Sequence, residues 1–390
     1  MSGILTLETF TDLGQLESLR SIWTELSSHF ETDLDFFLRV IALRPEFVAP
    51  RILLARYGDT PAELLVGRLE KTILRPRIGY VNMPPLPVRR IVFACHGSNT
   101  LTSPVAEAMV EALMARLRSG EADFCLLSNL MPGSALYASA RRLPPPIMRD
   151  LSPTTVSRWR LRLPGTYEAF LMSLNSRKRN KLRRSVKHFQ EECGPGIRYR
   201  TFEKSGEVDE FCAAAERVAS KTYQRGLGVG FRNSAETAAN LSTAAGMGWF
   251  RATALYVNDR PIAFWQGILS GKVYYSQATG YDPAFRKHTV GIILLLKMIE
   301  GMCGIPAKTI DFGKGDAQYK EEFGNDHAAE AEVAVYAPAL RGVAAKVLNG
   351  LTHAVNESLN AALNRLGLLT RIKNRWRKRM APGIENGDTR

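Results

Sequence analysis

Four residues near the end of one short strand carry side chains suited to chemistry. They are Asp311, Asp316, Tyr319 and Lys320, in the run Asp311-Phe-Gly-Lys-Gly-Asp316-Ala-Gln-Tyr319-Lys320. A carboxylate can take a proton from an attacking amine or hydroxyl, while a tyrosine or lysine can stabilise negative charge or protonate a leaving group. Upstream, an aromatic strand over 273–279 enters the turn Gly280-Tyr-Asp-Pro283, and Arg286-Lys287-His288-Thr289-Val290-Gly291 then opens an apolar helix. Arg286 and Lys287 can neutralise a pyrophosphate, Thr289 can cap or donate, and Gly291 lets the backbone come close. The same spacing reads equally as a basic, N-capped helix in which Gly291 serves packing alone. Asp311 reads equally as a strand-end carboxylate paired with a neighbouring Lys or Arg. His288 is either a further base or a helix-start residue.

The elements that must position these groups occur twice. With an offset of 200, Asp59, Pro61 and Gly67 align with Asp259, Pro261 and Gly267. Each segment predicts an apolar strand, a tight turn and a second apolar strand, which is a β-hairpin. After each hairpin a helix with a periodic apolar face (103–118 and 289–303) leads into a strand (122–128 and 307–312). Before each lies helical material, at 13–44 in the first half and at 166–192 and 207–225 in the second. The order of elements points to duplication. The prolines at 144–146 mark a stiff connector and a boundary between the halves. Beyond 338 an apolar stripe through Leu340, Val347, Leu351, Val355, Leu359 and on to Trp376 predicts helix to 379, with Gly350 and Gly367 as breaks.

At 390 residues, with 45% hydrophobic and 23% charged residues, the chain predicts a soluble protein of two domains. No secretory signal stands at the N-terminus and no apolar run spans a bilayer, so the expected location is cytoplasmic. Five scattered cysteines and the absence of H-x-x-x-H or C-x-x-C spacing argue for reduced thiols and against a metal site. The net charge of +14 concentrates in two places, seven Lys/Arg in 177–187 and six in 371–379. On a helix Arg177, Lys181 and Arg184 share one face, which suits an anionic acceptor or else a solvated surface. The segment 371–379, with Ile372 and Trp376, reads as a solubilising tail or as a peripheral contact with an anionic membrane. No nucleic-acid-binding motif interleaves with either patch.

The hairpin at 253–269, Tyr281-Asp-Pro283, the turn Arg286–Gly291, Asp311-Phe-x-x-Gly-Asp316-x-x-Tyr319-Lys320-x-x-Phe-Gly and the basic run from Ser176 to Ser185 together resemble one family. It is the GNAT-type acyltransferase domain of the cellulose-biosynthesis (CelD/BcsL-like) acetyltransferases, relatives of the FemABX peptidyltransferases. The resemblance implies an α/β (α+β) fold of tandem GNAT-like domains, each a twisted mixed sheet flanked by helices. These are a degenerate domain at 1–150, an acyltransferase domain at 151–337 and a helical extension at 338–390. It implies acetyl-CoA, or another acyl-CoA, in a V-shaped opening between strands, with pantetheine along 274–279 at Gln277, Ala278 and Thr279. The pyrophosphate would lie on Arg286, Lys287, Thr289, Val290 and Gly291, the only glycine in a turn where the family carries several. Catalysis would fall to Lys320 first, then Tyr319, Asp316 and Asp311. The acceptor would be a hydroxyl or amine of a sugar or polysaccharide precursor held at Arg177, Lys181 and Arg184. Two other readings keep the fold: an aminoacyl-tRNA-dependent transferase of the FemABX kind, and a binding module without catalysis.

Overall fold

The computed structural model describes residues 3–79, 81–96, 101–151, 153–226 and 230–365. Along the first half run β1 (Leu5–Phe10), α1 (Arg20–Leu26), α2 (Leu34–Ala42), β2 (Phe47–Tyr57) and β3 (Thr60–Leu74). A two-residue ribbon, β4 (Arg77–Ile78) and β5 (Val81–Asn82), precedes β6 (Leu86–Ala94), α3 (Ser103–Arg118), β7 (Phe124–Leu130) and α4 (Ala135–Arg142). Then come β8 (Thr154–Arg162), α5 (Tyr167–Ser173), α6 (Ser176–Cys193), β9 (Ile197–Phe202), α7 (Val208–Ala219), α8 (Tyr223–Gly226) and α9 (Ala235–Gly246). The chain continues with β10 (Phe250–Val257), β11 (Arg260–Ser270), β12 (Val273–Tyr281), α10 (Val290–Cys303), β13 (Thr309–Lys314), α11 (Gln318–Phe323), β14 (Asp326–Tyr336) and α12 (Leu340–Arg365).

Tertiary contacts divide the described residues into two units, one of those up to Ser157 with those from Ala328 to the end of α12, the other of Arg158–His327. The first has strand order β1-β2-β3-β6-β7-β14 and the second β8-β13-β12-β11-β10-β9. Both are α/β layers in which one parallel pair, β6 with β7 and β12 with β13, sits among antiparallel neighbours. The expected boundaries at 150/151 and 337/338 differ from this division. Strand β14 pairs with β7, Val335 opposite Cys125, and α12 belongs to the same unit, while β8 pairs with β13. The first unit thus takes its last strand from the segment that follows the second unit in sequence, which local patterning does not reveal, while β8 opens the second unit within the expected 151–337.

The duplication extends to register. In β2–β3, Tyr57 faces Thr60, Arg56 faces Pro61 and Arg51 faces Gly67, with a bulge between Ala55 and Arg56. In β10–β11, Val257 faces Arg260, Tyr256 faces Pro261 and Arg251 faces Gly267, with a bulge between Leu255 and Tyr256. Both glycines lie under an aromatic ring. A Cβ on Gly67 would stand 2.5 Å from the Phe93 ring, and one on Gly267 2.6 Å from the Tyr274 ring. Behind each hairpin a helix supplies the core. Met109, Val110 and Leu113 of α3 pack with Leu53, Leu65 and Phe93 in one unit, and Ile293, Leu294 and Ile299 of α10 with Trp265, Tyr274 and Ile310 in the other.

The helical stretch expected at 13–44 is four short pieces, because Asp12, His29 and Asp33 cap new turns through their side chains. The stretch at 166–192 breaks at Leu174, where Asn175 accepts from the Lys178 N–H at 2.8 Å and starts α6. Helix α12 runs unbroken through Gly350, where Leu151 occupies the space a side chain would take. Gly367 and the basic segment 371–379 lie outside the described residues. No helix among the described residues is long and apolar enough to cross a membrane.

Candidate active site

Strands β12 and β13 run parallel for three positions, Val273–Thr309, Tyr274–Ile310 and Tyr275–Asp311, and then part. Strand β12 bulges there, since Gln266 faces Ala278 while Gly267 faces Ser276, leaving Gln277 without an opposite number. The pairing of β12 with β13 ends at Tyr275 and Asp311, and a bulge bends the strand that carries it. Beyond it, Asp282 caps a short turn over Pro283–His288, Thr289 adopts a left-handed conformation with φ 52°, and α10 begins. On the other strand Gly313 and Gly315, with φ of 72° and 97°, allow the backbone to reverse into α11.

Three helices form a cleft in this unit. Arg177, Lys178 and Lys181 of α6, Thr289 and Ile292 at the start of α10, and Gln318, Tyr319 and Glu322 of α11 line an open cleft of about 470 Å³. The Tyr319 ring is fixed edge-on against Trp265 and Phe312, at centroid distances of 5.4 and 5.8 Å. Glu322 accepts from Gln318 Nε2 at 2.7 Å and lies 3.8 Å from Lys178 Nζ. Lys178 also donates to the Glu322 carbonyl and sits 3.9 Å over the Phe323 ring. Burial pushes the Lys178 ammonium below its ordinary pKa, against the opposing pull of Glu322. Arg177 and Lys181 are exposed and form no ion pair among the described residues. The cleft therefore presents two uncompensated cations, a positioned phenol and a carboxylate.

The expected residues divide between this cleft and its supports. Arg177, Lys181, Thr289 and Tyr319 are brought together. Arg184, one turn further along α6, is exposed and does not line the cleft; it donates to the Asn180 carbonyl at 3.3 Å. Asp311 is 2% exposed and fully engaged, accepting from Arg158 Nε at 2.7 Å, Arg160 Nε at 3.2 Å and the Gly313 N–H at 2.8 Å. That is the paired strand-end carboxylate rather than a base facing an acceptor. Lys320 points away from the cleft, donating to the carbonyls of Lys314 at 2.7 Å and Gly313 at 3.3 Å. Burial lowers its pKa, with Asp311 acting in the opposite sense. The catalytic role expected for Lys320 does not follow from this placement, which makes it the strut of the glycine turn. Asp316 is exposed and accepts from Trp159 Nε1 at 3.4 Å.

In the basic turn Arg286 is exposed with no ion-pair partner among the described residues, whereas Lys287 is bound to Glu192 of α6 at 2.8 Å. His288 is buried, 3.3 Å from the same carboxylate, and burial lowers its pKa. His188 reaches Glu192 at 2.9 Å, so ligand-type atoms of His188, Glu192 and His288 converge within 4.8 Å, a grouping invisible to a search for local His spacing. Val290 is in the core, so only its backbone N–H can face a ligand at the start of α10. A Cβ on Gly291 would lie 3.2 Å from the Tyr281 ring, so this glycine admits Tyr281 beside the helix. Thr279 donates to the Phe264 carbonyl at 3.1 Å, and Ala278 and Gln277 stand at the bulge. Sequence reasoning missed Glu322. Its signal was the i, i+3 spacing from Tyr319, which puts both on one face of a helix.

Residues 176–321 match the family model described as an acetyltransferase (GNAT) domain. This segment carries a GNAT acetyltransferase domain. It includes α6, α10, the parted strands and the start of α11, and ends one residue before Glu322. A crystal structure of FemX superposes with a TM-score of 0.56 at 10% identity, over 84% of this chain and 97% of that one, which places the tandem fold of the GNAT domain and its partner unit among known architectures. L-PGS from Bacillus licheniformis (TM-score 0.48, 12% identity, 90% and 99% covered) and a tandem GNAT protein from the clavulanic acid biosynthesis pathway (0.46, 12%, 86% and 99%) are also similar. Among curated proteins none matches in sequence.

Proposed function

We propose that this protein transfers an acyl group, acetyl in the simplest case, from acyl-CoA directly to a hydroxyl or amine of an anionic sugar or polysaccharide precursor. The observation that carries the reading is the cleft itself, where Tyr319 and Glu322 face the start of α10 on one side and Arg177 and Lys181 on the other. Arg286, Thr289 and the first N–H groups of α10 suit the pyrophosphate of the donor, with pantetheine along Gln277–Thr279. The acceptor's lone pair attacks the thioester carbonyl while Glu322 takes its proton. The tetrahedral intermediate expels sulfur by breaking the C–S bond, and the Tyr319 O–H supplies the proton that leaves free thiol. Arg177 and Lys181 hold the acceptor's negative group. The first unit serves as scaffold, and the work is done in the cytoplasm.

Calorimetry with acetyl-CoA, followed by thiol release with amino and hydroxylated sugar phosphates, tests this. Absence of both binding and release would sink it. An aminoacyl-tRNA donor is the second reading, supported by the fold similarity to FemX. It predicts tRNA binding that weakens steeply with salt. Against it, the described residues between 200 and 250 form α7, α8 and α9, of at most 12 residues each, and no long helical arm. A module without catalysis would keep its cellular role after Arg286→Ala.

A further inference from the structure

Glu192 is the meeting point of two elements. It lies on α6, where His188 one turn earlier places Nε2 2.9 Å from Oε1. His288, in the turn before α10, places Nε2 3.3 Å from Oε2. No two of the three ligand-type atoms are more than 4.8 Å apart. A tetrahedral divalent cation with bonds of about 2.0–2.1 Å needs its ligand atoms about 3.4 Å apart. The cluster is within a side-chain adjustment of that geometry, and His188, with its side chain 57% exposed, has room to make it. His288 is the fixed member. Its side chain is 4% exposed with Nε2 aimed at the carboxylate, and Nδ1 is buried with no hydrogen-bond partner among the described residues. A buried imidazole so sparsely engaged is poorly satisfied without a further partner.

The grouping recurs in the first unit. There His96, between β6 and α3, lies 2.8 Å from Glu31 and stacks on His29 with ring centroids 3.6 Å apart. His29 and Glu31 precede the β2–β3 hairpin, as His188 and Glu192 precede β10–β11, and His288 lies between β12 and α10. Two histidines and a glutamate at the corresponding place in both units belong to the layout of the fold rather than to one surface. The competitor for Glu192 is Lys287, whose Nζ lies 2.8 Å from the oxygen that faces His288. The lysine side chain is 67% exposed, so this ion pair adds little and yields to a dication. Two imidazoles and a carboxylate suit zinc, with a fourth position open to water. We propose that His188, Glu192 and His288 bind a zinc ion that clips α6 to the turn ahead of α10. The ion ties together two elements that line the cleft, α6 and the start of α10, while none of its three ligands lines it.

The test is calorimetric titration of the full, metal-stripped chain with zinc chloride, in a His96→Ala background that removes the first unit's grouping. That variant should bind one zinc ion per chain at this site. Adding His188→Ala or Glu192→Gln should weaken the affinity about a hundredfold or more, since even outer-shell partners of a metal contribute 10–100-fold. Both substituted side chains are exposed, so the circular dichroism spectrum should not change. Zinc at a hundredfold excess over its Kd should raise the unfolding temperature of the His96→Ala protein by about 5 °C or more. The same zinc concentration should leave both double variants unshifted. Absence of zinc binding by the His96→Ala protein, an affinity that neither added substitution lowers, or binding without a thermal shift would overturn the proposal.

Discussion

Asp311 and Arg158 form a buried ion pair, the carboxylate oxygen 2.7 Å from Nε, with both side chains under one-tenth exposed. The pair ties β13 to β8, and Arg160 and the Gly313 N–H use the carboxylate's remaining capacity. Removing one partner from such a pair leaves a buried charge uncompensated. Asp311→Ala should therefore cost about 3–5 kcal/mol of stability. Urea unfolding checks this, and a variant as stable as the parent would return Asp311 to the list of candidate bases.

If Glu322 takes the acceptor proton, Glu322→Gln should lower kcat about a hundredfold or more. Its side chain is partly exposed, so folding should be unaffected. Tyr319→Phe keeps the ring against Trp265 and Phe312 while removing the proton donor. It should reduce kcat with little change in either KM. An undiminished kcat for both variants in steady-state assays would remove these residues from the mechanism.

The two cations at the cleft should act on binding. Arg177→Ala and Lys181→Ala should each raise the acceptor KM about tenfold, the scale of one hydrogen bond to a charged group, and leave the KM for acyl-CoA unchanged. Arg286→Ala should show the reverse pattern. Arg184→Ala, outside the cleft, should do neither. Initial-rate kinetics with each substrate varied would separate these cases.

Much of the fold was legible because its signals are local. Asp59, Pro61 and Gly67 and their copies at 259, 261 and 267 fix a hairpin through turn geometry and close packing, and the two registers agree down to the bulge. The return of β14 to the first unit was not legible, because any apolar strand can complete a sheet edge and only tertiary contacts choose which. The site divided along the same line. Tyr319, Thr289, Arg177 and Lys181 meet because helix periodicity and the strand-turn-helix order bring them to one opening. Asp311 was ambiguous because its partner Arg158 is 153 residues away in sequence. Lys320 misled because a lysine beside a tyrosine reads as chemistry, whereas its ammonium is spent on the carbonyls that the Gly313–Gly315 turn leaves over.

Glu63, on β3, is a group whose titration should be measurable in the stability of the first unit. Burial raises its carboxyl from 4.5 to about 7, opposed by a hydrogen bond from the Leu64 N–H. Between these values the folded state holds a proton that the unfolded state has released. Its contribution to stability is complete below pH 4.5 and is lost as pH rises through 7. Glu63→Gln, which stays neutral, should gain on the parent by about 2–3 kcal/mol between pH 5 and pH 8. Urea titrations at those two values give the difference, and a gain equal at both would show that Glu63 is ionised throughout.

Glycines in this fold should respond to alanine with opposite signs. At Gly267 the new methyl would lie 2.4 Å from the Tyr275 carbonyl oxygen and 2.6 Å from the Tyr274 ring, so backbone or a fully buried ring must move. Overpacking of that kind costs about 1–3 kcal/mol. Because Gly267 stands at the bulge of the strand proposed to carry pantetheine, Gly267→Ala should also raise the KM for acyl-CoA. Gly301 lies in α10 with nothing near the new methyl, so Gly301→Ala should stabilise by about 0.5–1 kcal/mol through helix propensity and a less flexible unfolded chain. Thermal unfolding of both variants, with KM measured for Gly267→Ala, tests whether the close approach of β11 to β12 sets the mouth of the site. A destabilised Gly267→Ala that binds acyl-CoA as the parent does would separate packing at this glycine from the shape of the opening.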